Sequence, residues 1–266
     1  MRISVVLSSL LVMCMLSYAQ EINIEGIYQG KNLYIMNPFA SGGVGYCIHE
    51  VKVNGTVSTD EISSSAFEID LSQYQFKTGD RIKITIKHNS GCTPKVLNPE
   101  VLDPKSTYNV TAIKVDNKTK MLSFTTTGES GPLPFVIEQF RWNKWIKVAE
   151  IKGNGTPGPN VYQTQVYPHS GENQFRVKQV DYTKQPRYSR ICKFRSMSPA
   201  ITYSPLKRIT NEIIFSDETM YELYNPYGNI ISRGMGNKVD LSGLKKLDKY
   251  KYTLLYDNQV LQFNKE

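Results

Sequence analysis

From Glu21 onward, apolar and polar residues alternate with a period of two, and the runs stop at Gly, Asn, Pro or Ser. Candidate strands in the first third are Ile22–Tyr28, Asn32–Met36, Gly45–Val53, Phe67–Leu71 and Arg81–His88. In the last of these, Ile82, Ile84 and Ile86 share one face while Arg81, Lys83, Thr85 and Lys87 share the other. A half-buried antiparallel strand has this pattern; a helix would space its apolar residues by three and four, and no segment does so convincingly. Asn54-Gly55, between Val53 and Thr56, is a tight-hairpin signal. The pattern predicts an all-β protein.

Breaks in the pattern divide the chain. Asn98-Pro99 and Asp103-Pro104 close the first segment, and Ser196–Pro205, with Pro199 and Pro205, reads as a linker. The expected divisions are residues 1–19 as a leader, an N-terminal β-sandwich over 20–104, a second β domain over 105–197 and a small β domain over 198–266. The second domain carries seven strand candidates: Tyr108–Val115, Met121–Thr127, Leu133–Arg141, Trp145–Ile151, Val161–Tyr167, Gln174–Val180 and Tyr188–Phe194. Seven short strands with turn signals between them are the mark of an immunoglobulin-like or fibronectin-like sandwich. In the last segment, turns are predicted at Asn225-Pro226-Tyr227-Gly228 and at Gly234-Met235-Gly236-Asn237. The fold expected is therefore tandem immunoglobulin/fibronectin-like β-sandwiches followed by a small C-terminal β-sandwich.

Alternation also assigns faces. Phe175 and Val177 point one way and Arg176 and Lys178 the other; Phe135 and Ile137 point inward and Glu138 outward. If the two strands pair as in fibronectin-type sheets, Glu138 lies near Arg176 or Lys178 as a surface ion pair.

The first residues add an address. Met1-Arg2-Ile3 precedes an apolar run from Val5 to Leu16, and Ser17-Tyr18-Ala19 offers small residues at a cleavage site, so 1–19 reads as a secretory signal peptide. The run is short for a spanning helix, and no other stretch approaches membrane length. Met13 before Cys14 disfavours a lipobox. Cys47, Cys92 and Cys192 remain in the mature chain. An exported protein can hold a Cys47–Cys92 bridge, and two separately buried thiols are the alternative. Cys192 reads as an inward, inert strand position.

Composition narrows the chemistry. Three His and two Trp stand against seventeen Tyr and ten Phe, which makes histidine-based catalysis and multi-histidine metal sites scarce. His49, His88 and His169 share no metal-ligand spacing, and no G-x-S-x-G elbow is present. Ser41-Gly42-Gly43-Val44-Gly45 leads into a strand rather than a helix, so it is a connector and not a phosphate loop. Asp60-Glu61 and Asp217-Glu218 are neighbours that point to opposite faces of a strand, unlike glycosidase carboxylates. No cofactor, no metal and no catalytic residue is predicted. Arg141-Trp142-Asn143-Lys144-Trp145 is the one cluster with binding character: two Trp and two cations at a hairpin tip suit a sugar ring, an anionic polymer or a protein partner. The alternative is that both Trp fill the end of the core.

Two stretches carry a resemblance. Residues 222–231, then Gly234-Met235-Gly236-Asn237-Lys238-Val239-Asp240-Leu241-Ser242-Gly243-Leu244, then 250–255 and a closing Phe263-Asn264-Lys265, resemble the type A C-terminal sorting domain of type IX secretion cargo in Bacteroidota. On that resemblance Gly228, Gly234, Gly236, Asp240, Leu241 and Lys265 form the sorting motif. Asn225 stands where the family usually has Asp, and Leu247-Asp248-Lys249 replaces a usual glycine. Phe135–Glu138, Trp145–Val148 and Gly171–Asp181 are similar to the fibronectin type III-like modules of such secreted proteins. The resemblance implies passage to the cell surface or medium through the periplasm, the type IX machinery as a partner, and no chemistry.

The function expected is a non-catalytic exported surface protein acting as a binding or structural module, possibly beside an outer-membrane protein complex. A carbohydrate-binding module for polysaccharide or peptidoglycan is the alternative, and a hydrolase comes third. The formal charge of +8 sharpens the choice of partner, because fifteen basic against six acidic residues fall within 105–200. On an exported protein this favours an acidic surface protein or glycan and makes nucleic acid unlikely. Arg141, Trp142, Lys144, Trp145, Arg176 and Lys178 are the binding candidates.

Overall fold

The structure, a computed structural model, describes residues 20–247 and 249–266. The signal-peptide reading and Cys14 lie outside the described residues. Contacts group the chain into two compact units, one ending at Leu102 and one spanning Asp103–Glu266.

The first unit contains β1 (Gln20–Ile27), β2 (Leu33–Met36), β3 (Ile48–Val53), β4 (Thr56–Val57), β5 (Ala66–Ile69), β6 (Arg81–His88) and β7 (Lys95–Val96). They form a four-stranded sheet, β1-β6-β3-β4, and a three-stranded sheet, β5-β2-β7. Ile82, Ile84 and Ile86 are buried with Leu33, Ile35, Val51 and Ile69 in the space between them. Asn54 and Gly55 both take positive φ, 49° and 85°, at the β3–β4 turn. The helical content is two single 3₁₀ turns, Leu71–Tyr74 and Pro99–Leu102. A disulfide joins Cys47 to Cys92 across 45 residues. Closing a loop of that length restricts the unfolded chain by about 4 kcal/mol on the chain-entropy argument.

The second unit begins with β8 (Asn109–Val115), β9 (Met121–Thr127), β10 (Phe135–Arg141), β11 (Lys144–Ile151), β12 (Asn160–Gln165), β13 (Gly171–Val180), β14 (Pro186–Tyr188) and β15 (Cys192–Ser196). One sheet runs β12-β9-β8; the other runs β11-β10-β13, with β14 and β15 both on β13. This strand order is that of a fibronectin type III-like sandwich. The predicted strand Tyr188–Phe194 is two strands. Ser189 breaks it by donating its amide to Val177 O and its hydroxyl to Arg190 O. Phe135, Ile137, Phe175 and Val177 are fully buried, with Tyr108, Phe124 and Tyr162 ringing Phe135. Cys192 is a free, buried thiol whose pKa burial pushes up. One core-edge group was not legible in the sequence. The buried Glu129 carboxylate accepts from Thr126, Gly155, Asn160 and Tyr162, so four donors hold it without a cation. Burial foremost, then Glu129 itself, pushes the Tyr162 hydroxyl up to about 12.

The unit ends with β16 (Tyr203–Ser204), β17 (Glu212–Tyr224), β18 (Ile230–Asp240), β19 (Tyr252–Tyr256) and β20 (Gln259–Phe263). They form one sheet ordered β16-β17-β19-β20, with β18 on β17, over a core that includes Ile213, Phe215, Leu254 and Phe263. Here the structure corrects a turn. Gly234-Met235-Gly236-Asn237 lies within β18 and pairs with β17, Gly234 opposite Tyr221 and Gly236 opposite Thr219. The Tyr221 ring lies over Gly234, where an added Cβ would stand 3.1 Å from its hydroxyl. The glycine thus marks close aromatic packing rather than a reversal. The predicted turn at Asn225–Gly228 is present: Asn225 Oδ1 accepts from the amides of Tyr227 and Asn229, and Gly228 has φ 82°.

Candidate functional site

The β10–β11 hairpin brings the binding candidates together and then divides them. Trp142 and Asn143 occupy the turn with φ 53° and 59°. Such a turn needs two left-handed residues, which Asn adopts readily and Trp seldom does. Along β10 the inward alternation set by Phe135 and Ile137 continues through Gln139 to Arg141, so the strand's last inward positions are polar. Glu138, on the opposite phase, looks toward the outer face.

On that face Glu138 meets Arg176 and Lys178, as β10–β13 register requires. Arg176 Nε and Nη2 each lie 2.7 Å from Glu138 Oε2, and Lys178 Nζ is 3.5 Å from Oε1. The expected surface pair is in fact covered, and Glu138 is only 7% exposed. The cause is aromatic: the Arg176 guanidinium sits 4.1 Å from the Trp145 ring centre and 3.9 Å from that of Tyr188. Trp145 therefore spends a face on Arg176, and the charges sit in a desolvated stack.

Lys144 is also engaged. Its Nζ lies 2.5 Å from Glu222 Oε2 and 2.8 Å from the Tyr224 hydroxyl on β17. Burial works against its charge, but Glu222 and Tyr224 outweigh that and hold its pKa above the usual lysine range. Trp142, Lys144 and Trp145 line an open groove of about 840 Å³ whose other wall is β17–β18, including Tyr221, Arg233 and Met235.

Arg141 goes inward and is 3% exposed. Its Nη2 donates to Tyr167 O at 2.9 Å, while Nε and Nη1 find no protein acceptor. Burial brings its pKa down to about 10 against the opposing pull of Asp257. Around it lies a buried polar cluster. Asp257 accepts from Ser170 N at 2.8 Å, Ser170 Oγ at 2.5 Å and Ile201 N at 3.3 Å. Gln139 donates to Asn173 Oδ1, which also accepts from His169 N. His169 is buried, and that burial, with Arg141 nearby, lowers its pKa although its bond to Ser170 O pulls the other way. Sequence reasoning missed this cluster because Ser170 and Asp257 are 87 residues apart. The available signal was Gln139 and Arg141 standing in phase with Phe135 and Ile137.

Ser170, His169 and Asp257 have the composition of a hydrolase triad but not its wiring. A triad's histidine bridges the hydroxyl and the carboxylate. Here Ser170 Oγ binds Asp257 directly, and His169 Nδ1 lies 2.7 Å from the Ser170 carbonyl. Cys47, His88 and Cys92 form the one group of three metal-type ligands among the described residues, but both sulfurs are tied to each other.

The motif residues of the C-terminal domain are split between strand and loop. Gly234 and Gly236 lie in β18, Gly228 in the turn before it and Asp240 at its end. Asp240 Oδ1 accepts from Ser242 N, and this with the Ser242 hydroxyl lowers its pKa. Leu241 is fully buried. Lys265 is buried, and its Nζ donates to the carbonyls of Leu241, Ser242 and Leu244 at 2.8, 3.1 and 2.9 Å.

No helix among the described residues is long and apolar enough to cross a membrane. No protein-family model and no curated protein matches the chain. Solved structures similar to it include a tetra-tandem repeat in the extending region of a large adhesion protein, at 10% identity over 92% of this chain and 75% of that one, TM-score 0.33. Fibronectin(III)-like modules of Clostridium thermocellum CbhA match at 9% identity over 60% of this chain and 94% of theirs, TM-score 0.22. The chicken CNTN1 FN1–FN3 domains match at 11% identity over 94% of this chain and 96% of theirs, TM-score 0.25. The fold assignment rests on the strand order.

Proposed function

We propose that this chain is a non-catalytic exported surface protein, sent out by type IX secretion through its 198–266 domain and held at the surface by its fibronectin-like domain. The observation that carries the reading is the Asp240–Leu244 loop clamped by Lys265, because it ties the terminal Lys of the resembled motif to its Asp-Leu-Ser segment through one buried ammonium. The basic face on which an acidic outer-membrane partner or glycan would dock moves from Arg176 and Lys178, which Glu138 occupies, to the exposed Arg187, Arg190 and Lys193 on and beside β14–β15. Lys265→Met tests the export step: the protein should accumulate in the periplasm, and normal surface display would sink the reading. Crosslinking from the native envelope, repeated with Arg187, Arg190 and Lys193 changed to Glu, tests the docking face.

The carbohydrate-binding reading is favoured by one observation, the open groove lined by Trp142, Trp145 and Tyr221. Polysaccharide or peptidoglycan fragments should then shield tryptophan fluorescence from quenching. Unchanged quenching across a glycan panel removes it.

A further inference from the structure

Five buried side-chain polar atoms lack a partner among the described residues, and four of them belong to Gln139, Arg141 and Trp142. Native proteins leave few such atoms, so their concentration at one pole of the sandwich calls for a ligand or ordered water. Arg141 is the costly member, because a guanidinium 3% exposed keeps its charge while giving only one hydrogen bond.

Arg141 lines a cavity of about 250 Å³ between the 103–197 and 198–266 parts of the second unit. Its apolar walls include Val166, Ile201, Met220 and Met235. Five charged groups line it as well: Lys120, Arg141, Asp217, Glu218 and Asp257. Two of these are committed. Asp257 accepts three protein donors, and Lys120 Nζ binds Asn117 and stands 5.7 Å from the Phe194 ring centre. Arg141 remains in the interior, with Asp217 and Glu218 exposed. A simple anion would satisfy the first and be repelled by the other two; a simple cation would meet the reverse. A molecule carrying both charges around a small apolar body satisfies all three.

We propose that this cavity binds a free α-amino acid with an aliphatic side chain, its carboxylate held by Arg141 and its ammonium facing Asp217 and Glu218. The charge-assisted bonds to the guanidinium supply orientation, and the apolar walls select the side chain. The inference does not rest on the export reading.

The test is calorimetric titration of the full chain with L-leucine, L-leucinamide, N-acetyl-L-leucine, sodium acetate and sodium chloride. Leucine should bind saturably, and removing either charge should weaken binding at least about tenfold. Arg141→Gln should reduce leucine affinity by a similar factor with an unchanged circular dichroism spectrum. If that variant does not fold, the exposed pair Asp217→Asn/Glu218→Gln decides. It should bring leucine down to the level of N-acetyl-leucine and leave N-acetyl-leucine itself unaffected. Absence of saturable leucine binding, or acetate and chloride binding as well as leucine does (an adventitious ion only), overturns the proposal and assigns the orphan donors to water.

Discussion

Arg176 and Arg141 lie on the two neighbouring strands β13 and β10, both largely buried and both within reach of a tryptophan ring. One is fully compensated and the other is not. Arg176 has a carboxylate at 2.7 Å, a second cation sharing that carboxylate, and an aromatic face on either side. Arg141 has one carbonyl and a tryptophan ring centre 5.4 Å away. Burial of an arginine therefore says little by itself; what matters is whether the surrounding groups replace the water it lost. A compensated guanidinium builds the sheet, and an uncompensated one is available to something else.

The largest expected effect breaks the compensated site. Glu138→Ala leaves Arg176 and Lys178 facing each other without their carboxylate and should cost about 3 kcal/mol in urea unfolding. A loss below ~1 kcal/mol would mean that the aromatic stack alone carries the site. Arg176→Met, which keeps much of the stem but loses the stacked cation, should cost about 2 kcal/mol by the same measurement. Arg141→Met should go the other way, neutral to about 1 kcal/mol stabilising, since it removes a charge that the fold leaves unsatisfied. If both methionine variants lose equal stability, the contrast between the two arginines fails.

A smaller effect follows from His169, which faces Arg141 and Asp257. Its pKa is lowered by burial, so the unfolded chain binds a proton that the folded chain refuses. Stability should be full above the ordinary histidine value of about 6.5 and decline as pH falls below it, before the carboxylates titrate. Thermal unfolding between pH 7.5 and 5 should show this slope, and His169→Gln should flatten it. An identical slope in the variant would assign the loss elsewhere. The smallest change is Lys144→Ala. Its nitrogen pairs with Glu222 while the side chain remains 39% exposed, so about 0.5 kcal/mol should be lost.

How much of this was legible in the sequence differs element by element. Period-two alternation located the strands of the first two sandwiches to within a few residues, because each sheet buries one face. It also placed Glu138 opposite Arg176. It did not show that Trp145 and Tyr188 would close over that pair, since stacking depends on partners from three strands. Two glycines within three residues looked like a turn at Gly234–Gly236; they are a strand over which Tyr221 packs, and only the partner strand distinguishes the two. The binding candidates at 141–145 were read as one exposed tip. Alternation alone separates them, because Arg141 is in phase with Phe135 and Trp145 is not on that strand. The Ser170–Asp257 contact is set by how the last domain sits against the sandwich pole, which no local pattern encodes.

Lys265 has a chemical consequence. An amine enclosed by three carbonyls has no lone pair to offer and no open approach, so acylating reagents must wait for the closing loop to come away. The eight other basic residues from Lys207 to Lys251 carry no such enclosure among the bonds described for this domain. Its modification rate, followed by mass spectrometry against the exposed Lys245 and Lys246, becomes a clock for local opening of the chain's final strand.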